Sequence, residues 1–531
     1  MTADDPIPSR TGRLLDHLDR LVERLGEPFA FAAAVVGYYA IAFLIRALVL
    51  TGSSGDEAQL MLYGQGMAWL YDLGNPPMAG WLATAAESLL GPSLAVALII
   101  RYGLMALFLV LMHAAAREAF DDRRLAPAVA MSAFGLWFYG WESLRNYMDS
   151  LVLITALAAT VWLMLRLARM PTRLNYAGLA IAVAVGTLGK FSYPVVLLCL
   201  IAAAGVDAGL RRALWSRAGL VTVAVGLAAA MLPYLWASAN LELWLSVADD
   251  RLVTSAISDR EIAGAIDRGW LVLDSALNFT LPLLPLFAVA FLPDLVRRGP
   301  LPPTSARRRV RRWLGVWLLL LWAVATAVVV AVGMSKLREH YMFVLAPLPL
   351  LLFAWLPEAV VDTAAHRRRA AAFCGVLGVL AMVALAALAG QRVVEAAGCT
   401  KCRLIMPWRA FADQLRAAGF ERGTIVSYDS PYTDAGANLR RFLPDTRVVS
   451  DKRPLVAPAA LDRPGGCLVV WNDARYPQIA DQLRAAPIRE IGAPVPPETV
   501  FGRLEAPLVG TANPAPALGY ALIEAGAGDC R

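Results

Sequence analysis

The sequence predicts an all-α polytopic membrane domain followed by a small α/β domain outside the membrane, and three observations carry that expectation. First, 58% of the 531 residues are hydrophobic and only 17% are charged, a balance that leaves too little charge to clothe an ordinary soluble globule. Second, apolar stretches near the roughly 20 residues needed to cross a bilayer recur along the chain and alternate with arginine clusters. Third, the pattern stops at Gln391 and gives way to short alternating segments. The net charge of +7 invites a nucleic-acid reading. Its basic residues, however, sit in short clusters between apolar runs, as in cytoplasmic loops.

Residues 1–28 are polar and end in LLDHLDRLVERLG, where Leu14, Leu15, Leu18, Leu21, Val22 and Leu25 repeat at helical spacing. They predict a cytoplasmic amphipathic surface helix. The basic, apolar and small-residue order of a cleavable signal peptide is missing from that stretch, so the first span, from about Phe29 to Leu50, also has to act as the insertion signal. Further apolar stretches lie near 94–115, 126–141, 150–167, 175–189, 191–206, 218–238, 276–295, 314–332, 342–356 and 370–390. They predict about eleven spans within a membrane domain over residues 29–390. Arg117, Arg123 and Arg124, then Arg166, Arg169 and Arg173, then Arg211, Arg212 and Arg217, then the run from Arg297 to Arg312, then Arg367, Arg368 and Arg369 fall in alternate loops. That set is cytoplasmic. The opposite loops, 51–93, 142–149, the Gly189-Lys190 junction, 239–275, 333–341 and everything after about 391, face the periplasm or its equivalent. No internal repeat is visible, which weakens a transporter built from duplicated halves.

In residues 391–531, WRAFADQLRAAGF reads as an amphipathic helix, and GTIVSYD, TRVVSD and GCLVVWND read as short buried strands. In an oxidising compartment Cys399 and Cys402 can close a tight bridge and Cys467 can pair with Cys530; with an inverted topology the four are reduced thiols. Cys199 and Cys374 lie within spans, where a free Cys acts as a small apolar residue.

The first outer loop, residues 51–93, opens with Gly55-Asp56-Glu57-Ala58-Gln59, two adjacent carboxylates at the membrane rim. Two readings start level. Acidic groups near hydrocarbon are costly unless solvated or paired and so mark function; Asp and Glu also favour helix N-termini, where they meet unpaired amides. Downstream, Leu60, Leu62, Tyr63, Met67, Trp69, Leu70 and Tyr71, then Met78, Trp81, Leu82 and Leu89 after Asn75-Pro76-Pro77, predict two short helices at the bilayer surface that roof a cavity open to lipid. Other ionisable residues recur on the same side: Arg145, Asn146, Tyr147 and Asp149; Lys190; and Lys336, Arg338, Glu339, His340 and Tyr341, with Arg46 inside the first span. Singly, each reads as a snorkelling or rim-solvated residue. Together they suit an enzyme handling a lipid phosphate. When a sugar leaves a polyprenyl phosphate, negative charge grows on the phosphate and fixed Lys, Arg or His groups stabilise it. The attacking hydroxyl needs a carboxylate base within hydrogen-bond reach.

The run DEAQLMLYGQGMAWLYDLGNPPMAGWLATAAESLLGPS resembles the first outer loop of the GT-C glycosyltransferases of the protein O-mannosyltransferase and aminoarabinose lipid A transferase kind, with an acidic DEA motif ahead of a Pro-Pro pair. LGKFSYPVVLL is similar to their Lys-containing middle segment and KLREHYMFVLAPLPLLL to their Tyr- and Pro-rich late span; the order matches over about 30–360. The resemblance implies a GT-C membrane domain; the C-terminal domain varies among relatives, and the resemblance assigns it no chemistry. It also implies inverting transfer of a sugar from a polyprenyl-phosphate donor to a lipid such as lipid A, a glycan or a protein, at the outer face of the bacterial inner membrane and without a nucleotide-sugar site. Carried over, Asp56 is the catalytic carboxylate or general base and Glu57 its neighbour in acceptor or loop positioning. Lys190, Lys336, Arg338 and His340 contact phosphate or sugar, with Tyr341, Arg145 and Asp149 in the same substrate-binding set. Asn75 stands where many relatives carry a basic residue, so Lys190 or the 336–340 group takes that phosphate contact. No His and Cys cluster resembles a zinc site; the carboxylate pair suits a hard cation, but a site without metal or other cofactor is the preferred reading.

A polytopic transporter or flippase for a lipid-linked sugar is the alternative. It should place ionisable groups or broken helices at the bilayer midplane, whereas these charges gather at one rim. A membrane-anchored sensor explains the last quarter but not the amphipathic first loop.

Overall fold

The computed structural model describes residues 10–72, 74–240, 265–296, 306–332, 334, 337–357, 363–398, 403–428, 435–450, 453, 455–456, 458–463, 465–473, 477–485, 496–506 and 517–523. Two compact units emerge: Met1–Tyr39 with Gly103–Ala384, and Ala40–Tyr102 with Leu385–Arg531. This division cuts across the compositional boundary at 391, because the first outer loop falls in the same unit as the C-terminal domain.

The first unit is helical. Helix α1, Arg10–Leu25, is the expected amphipathic element. Its acidic side grips the helical unit, with Asp19 and Glu23 3.4 and 2.9 Å from Arg124 and Asp16 3.8 Å from Arg368, while Val22 is buried and Leu14 and Leu21 stay exposed. Across the described residues, five helices are long and apolar enough to cross a membrane: α2 (Pro28–Val49), Leu94–Ala119, Met148–Arg169, Ala306–Val332 and Ala364–Gly398. The bent pair Ala208–Leu214 and Arg217–Ala230 makes up to six.

Apolar length alone suggests about eleven spans, and helix does occupy all those stretches, but several are interrupted. The 126–141 stretch is Leu125–Met131, a 3-10 turn at Ser132–Gly135 and the short Trp137–Gly140. The 276–295 stretch is divided between Ala265–Thr280 and Leu283–Val296, with the Trp137 amide donating to the Leu281 carbonyl across the gap at 3.0 Å. Proline explains the second break, since Pro282 supplies no N–H to continue a helix.

The second unit joins the first outer loop to a mixed sheet. Helix α3 spans Gly55–Tyr63 and helix α4 Met78–Leu90, so the loop holds two short helices as expected, but the first ends at Tyr63 and leaves Met67, Trp69, Leu70 and Tyr71 in irregular chain; α5 is Leu94–Ala119. Between α3 and α4 the chain is held by aromatic side chains. Tyr63 and Tyr71 stack at 4.7 Å, Tyr71 donates to the Gly66 carbonyl at 3.0 Å, and Trp81 donates to the Ala68 carbonyl at 2.8 Å. Gly80 lies under the Tyr71 ring, where a Cβ would come within 2.3 Å of a ring carbon.

The sheet has strand order β2-β1-β3-β5-β4, with β1 Gly423–Ser427, β2 Thr446–Ser450, β3 Gly466–Asn472, β4 Val500–Glu505 and β5 Ala517–Ile523. The first three are the strands expected from sequence, and they pair in parallel; β4 and β5 add an antiparallel ribbon that the sequence reading missed. Val426, Val469, Trp471, Leu483, Ala521 and Ile523 form its buried core. The expected amphipathic helix is Trp408–Ala417, with Trp408, Phe411, Ala412 and Leu415 buried. Cys467 is disulfide-bonded, whereas Cys199 and Cys374 are free and buried. Cys399, Cys402 and Cys530 lie outside the described residues.

The loop is fastened to this domain by backbone as well as side chain. The Gly52 amide donates to the Leu404 carbonyl at 2.8 Å, and Ser53 Oγ donates to Asn438 Oδ1 at 2.9 Å. Gln65 pairs with Val448 like a short strand: its Nε2 donates to the Val448 carbonyl at 3.0 Å and its Oε1 accepts the Val448 amide at 2.7 Å. Since β2 is a sheet edge, this amide occupies groups an edge otherwise leaves open. Gly52 has no room for a side chain, because a Cβ would lie 1.9 Å from the Arg403 carbonyl oxygen. Gly52→Ala is therefore expected to cost about 1–3 kcal/mol; thermal unfolding of the purified protein checks this, and an unchanged midpoint would contradict the packing described.

Candidate active site

The Asp56-Glu57 pair falls on the first turn of α3, and the two carboxylates have different surroundings. Ser54 caps the helix: its hydroxyl accepts the Glu57 amide at 3.4 Å, and its own amide donates to Glu57 Oε2 at 2.6 Å, closing a capping box. Glu57 is completely buried. Arg46, from α2, donates to it through Nε at 3.2 Å and Nη2 at 2.5 Å, and also holds the Leu50 and Gly52 carbonyls at 3.0 and 2.7 Å. Arg101, from α5, donates to Glu57 Oε1, the oxygen that Arg46 Nε also reaches, and lies 3.4 Å from Ser54 Oγ through Nη2. Burial pushes the Glu57 carboxyl up, but the two guanidinium groups and the Ser54 amide more than reverse this and hold it at about 2. Arg441, which donates to the Thr51 carbonyl at 3.2 Å, is pushed down to about 10 by burial and by Arg46, with Glu57 opposing. Asp56, one residue earlier, is only half-buried.

In the helical unit Tyr147, Lys190, Arg338, His340 and Tyr341 form a second cluster. Tyr147 caps helix Met148–Arg169 in a left-handed conformation at φ 69°, an uncommon state for a non-glycine residue. Its ring stacks on His340 at 4.9 Å and 23°, and His340 packs on Tyr341 at 4.5 Å. Lys190, at the C-cap of helix Arg173–Gly189, donates to Ser150 Oγ at 2.7 Å. Asp149 is half-buried in the first turn of that same capped helix and Arg338 is exposed.

His340 is driven down to about 3 by burial, then by Lys190 and Arg338. At neutral pH this ring is therefore a neutral hydrogen-bonding partner, with Lys190 and Arg338 as the neighbouring cations. Arg145 pairs with Glu142 at 2.8 Å and lies 4.5 Å from the Trp141 ring centroid. Lys336 lies outside the described residues.

The structure thus places Asp56 and Glu57 on one helix of the second unit. Lys190, His340, Tyr341, Arg338, Arg145 and Asp149 belong to the first. Several residues escaped the sequence reading. Arg101 is a cation set among apolar residues in the first half of α5, a signal of function or of a buried partner. Asp72 and Glu87, buried in the outer loop, pair with Arg453 and Arg440 of the C-terminal domain, and no local sequence signal links them. Among the described residues, no three His, Cys, Asp or Glu side chains gather as a metal-ligand set.

Residues 74–236 match the family model described as dolichyl-phosphate-mannose-protein mannosyltransferase. The chain is 26% identical over 477 residues to the lipopolysaccharide core galacturonosyltransferase RgtA of Rhizobium johnstonii, covering 87% of this chain and 91% of that protein. RgtB, from the same organism and with the same described activity, is 23% identical over 463 residues, covering 85% and 90%. The fold is similar to that of ArnT from Cupriavidus metallidurans, crystallised with undecaprenyl phosphate, at a TM-score of 0.57 and 12% identity over 92% of this chain and 98% of that one. The protein is a membrane glycosyltransferase of the GT-C type. Within that class it is similar to the galacturonosyltransferases in sequence and to ArnT in fold.

Truncating Glu57 strands two buried guanidinium groups, so Glu57→Ala is expected to lose roughly 3–5 kcal/mol of stability. The sign of the pH effect follows from the depressed carboxyl: its contribution is full above about 4.5 and is lost as pH falls towards 2. Acid unfolding followed by intrinsic fluorescence should show that loss in the wild type and not in Glu57→Gln. For His340 the lowered value keeps the ring neutral from pH 6 to 8. His340→Gln should leave the pH profile of transfer over that interval unchanged, and the disappearance of a break there would refute the neutral assignment.

Proposed function

We propose that this protein transfers a sugar from a polyprenyl-phosphate donor to a lipid-linked glycan at the periplasmic face of the bacterial inner membrane, with inversion at the anomeric carbon. The named relatives support a uronic-acid donor, galacturonic acid in the first instance, and a lipopolysaccharide core acceptor; the ArnT structure with undecaprenyl phosphate supports the carrier. The observation that carries the reading is the unequal fate of the two adjacent carboxylates. Glu57 is locked between Arg46 and Arg101 without exposure, whereas Asp56 on the same turn is half-buried and keeps part of its surface accessible.

In this mechanism the acceptor hydroxyl attacks the anomeric carbon and its proton passes to Asp56 as the new C–O bond forms. The bond from that carbon to the phosphate oxygen breaks with its electron pair, releasing polyprenyl phosphate. Charge accumulating on the phosphate is stabilised by Lys190, which Ser150 orients, and by Arg338, while neutral His340 donates or accepts a hydrogen bond. Tyr147, stacked on His340, sets the plane of that ring. Tyr341 lines the same region as a sugar-facing aromatic. Asp149 and Arg145 act at one remove, through the first turn beside Lys190 and the pair with Glu142. The C-terminal domain lies on the periplasmic side, where the disulfide at Cys467 persists.

Asp56→Asn should lower kcat by about 10²–10⁴ without loss of expression, the usual range for a general base. Mass spectrometry of the cell-envelope glycolipids, together with transfer from a synthetic polyprenyl-phosphate uronic acid, measures this. Persistence of the modification at wild-type levels in a stably expressed variant would remove Asp56 from the mechanism.

A further inference from the structure

The grip of the C-terminal domain on the outer loop includes one contact that reaches the helix face carrying Asp56. On α3, Asp56, Gln59 and Tyr63 are spaced three and four residues apart, so they share a face. Gln59 Nε2 donates to the Tyr63 hydroxyl at 2.6 Å, and that hydroxyl donates to Asp72 Oδ2 at 3.3 Å. Into this pair comes Arg453. Its Nη2 donates to Gln59 Oε1 at 3.2 Å and its Nε lies 3.4 Å from Asp72 Oδ2. Asp72 and Arg453 are 6% and 9% exposed, so the pair is shielded from solvent and from salt. Both ends are anchored: Asp72 Oδ1 accepts the Gly74 amide at 2.7 Å, and the Arg453 amide donates to the carbonyl of Ser450, the last residue of the edge strand β2, at 3.1 Å.

A second ionic contact of the same kind has no such reach. Arg440 lies 2.6 Å from Glu87, which stands on α4 and not on the face with Asp56. The two pairs thus separate holding the loop from orienting the reactive carboxylate. We propose that Arg453 is a positioning residue for sugar transfer: through Gln59 and Asp72 it fixes the α3 face that presents Asp56, which gives the C-terminal domain a part in catalysis without touching substrate. This rests on Asp56 as the base. An orientation role predicts a loss in kcat, because a displacement near 1 Å can cost on the order of 10²-fold, with donor binding preserved. A purely structural role predicts lost stability alone.

The test compares Arg453→Met, Arg453→Lys, the exchanged pair Asp72→Arg with Arg453→Asp, and Arg440→Met as the loop-holding control, all in the full-length protein in nanodiscs. Folded fraction is fixed by thermal unfolding, and kcat and KM are measured with a synthetic polyprenyl-phosphate uronic acid. The expected result is a kcat loss of roughly 10- to 100-fold for Arg453→Met with KM little changed, and partial recovery in Arg453→Lys. The exchanged pair is expected to be more active than Arg453→Asp alone, and Arg440→Met to be destabilised but near wild-type in kcat per folded molecule. If Arg453→Met fails to fold, the lysine variant and the exchanged pair decide: kcat per folded molecule equal to wild type in Arg453→Lys and no gain from the exchange overturn the proposal. So does an Arg453→Met loss confined to KM or no larger than that of Arg440→Met. An inactive Asp56→Asn beside a fully active Arg453→Met defeats this inference alone, whereas an active Asp56→Asn defeats the catalytic reading beneath it.

Discussion

The carboxylate of Glu57, shared between Arg46 and Arg101, is the constraint on which the start of the outer loop depends. Two guanidinium groups without exposure to water would be prohibitively costly alone, and one carboxylate answers both while its backbone amide and Ser54 close the cap of α3. The consequence is directional. Three separate segments, the end of α2, the first turn of α3 and the start of α5, are tied to one side chain, so the neighbouring Asp56 inherits a fixed helix turn from which to act. Preorganisation of this kind is what a transferase needs, since a base must already be aimed when the hydroxyl arrives.

From this anchor the loop extends into the C-terminal domain. Gln65 completes the edge of β2, and Arg440 and Arg453 answer the buried acids of α4 and of the turn before it. The sheet is thereby part of the same compact body as the loop that carries Asp56 and Glu57. The helical unit supplies a different chemistry, a neutral imidazole stacked on a strained tyrosine, next to an ammonium held by a hydroxyl. In the proposed mechanism an ammonium suits the stabilisation of a leaving phosphate, and a neutral histidine avoids adding a charge that Lys190 and Arg338 would repel.

What was legible in the sequence follows the range of the forces involved. Local periodicity reported α1, the two short loop helices, the amphipathic helix at Trp408 and three parallel strands, because each is written in the burial of its own residues. The ribbon of β4 and β5 was missed because its alternation is weak, with Gly502 and Arg503 in the middle of β4 and Gly519 in β5. Apolar length located the helical stretches but says nothing of interruptions such as Leu281-Pro282, which divide several of them. At the candidate site, the structure shows the helix-start reading for Glu57, which closes the cap of α3, and Asp56 is the carboxylate we propose as the base. The signal for Glu57 was present in Ser54-Gly55-Asp56-Glu57, the spacing of a capping box, but its partner Arg101 lies 44 residues away and could only be suspected as a cation among apolar neighbours. Arg453 and Asp72 carry no local signal, since their pairing depends on the sheet being assembled first.

The division of labour between Asp56 and Glu57 is tested most directly by chemical rescue. Asp56→Ala and Glu57→Ala are assayed for transfer with and without added formate, a carboxylate small enough to occupy the space of a truncated side chain. The account predicts that formate restores turnover to Asp56→Ala, where a proton acceptor has been removed, and not to Glu57→Ala, where the helix turn itself has lost its tie to Arg46 and Arg101. Rescue of Glu57→Ala alone, or full activity of Asp56→Ala without formate, would contradict it.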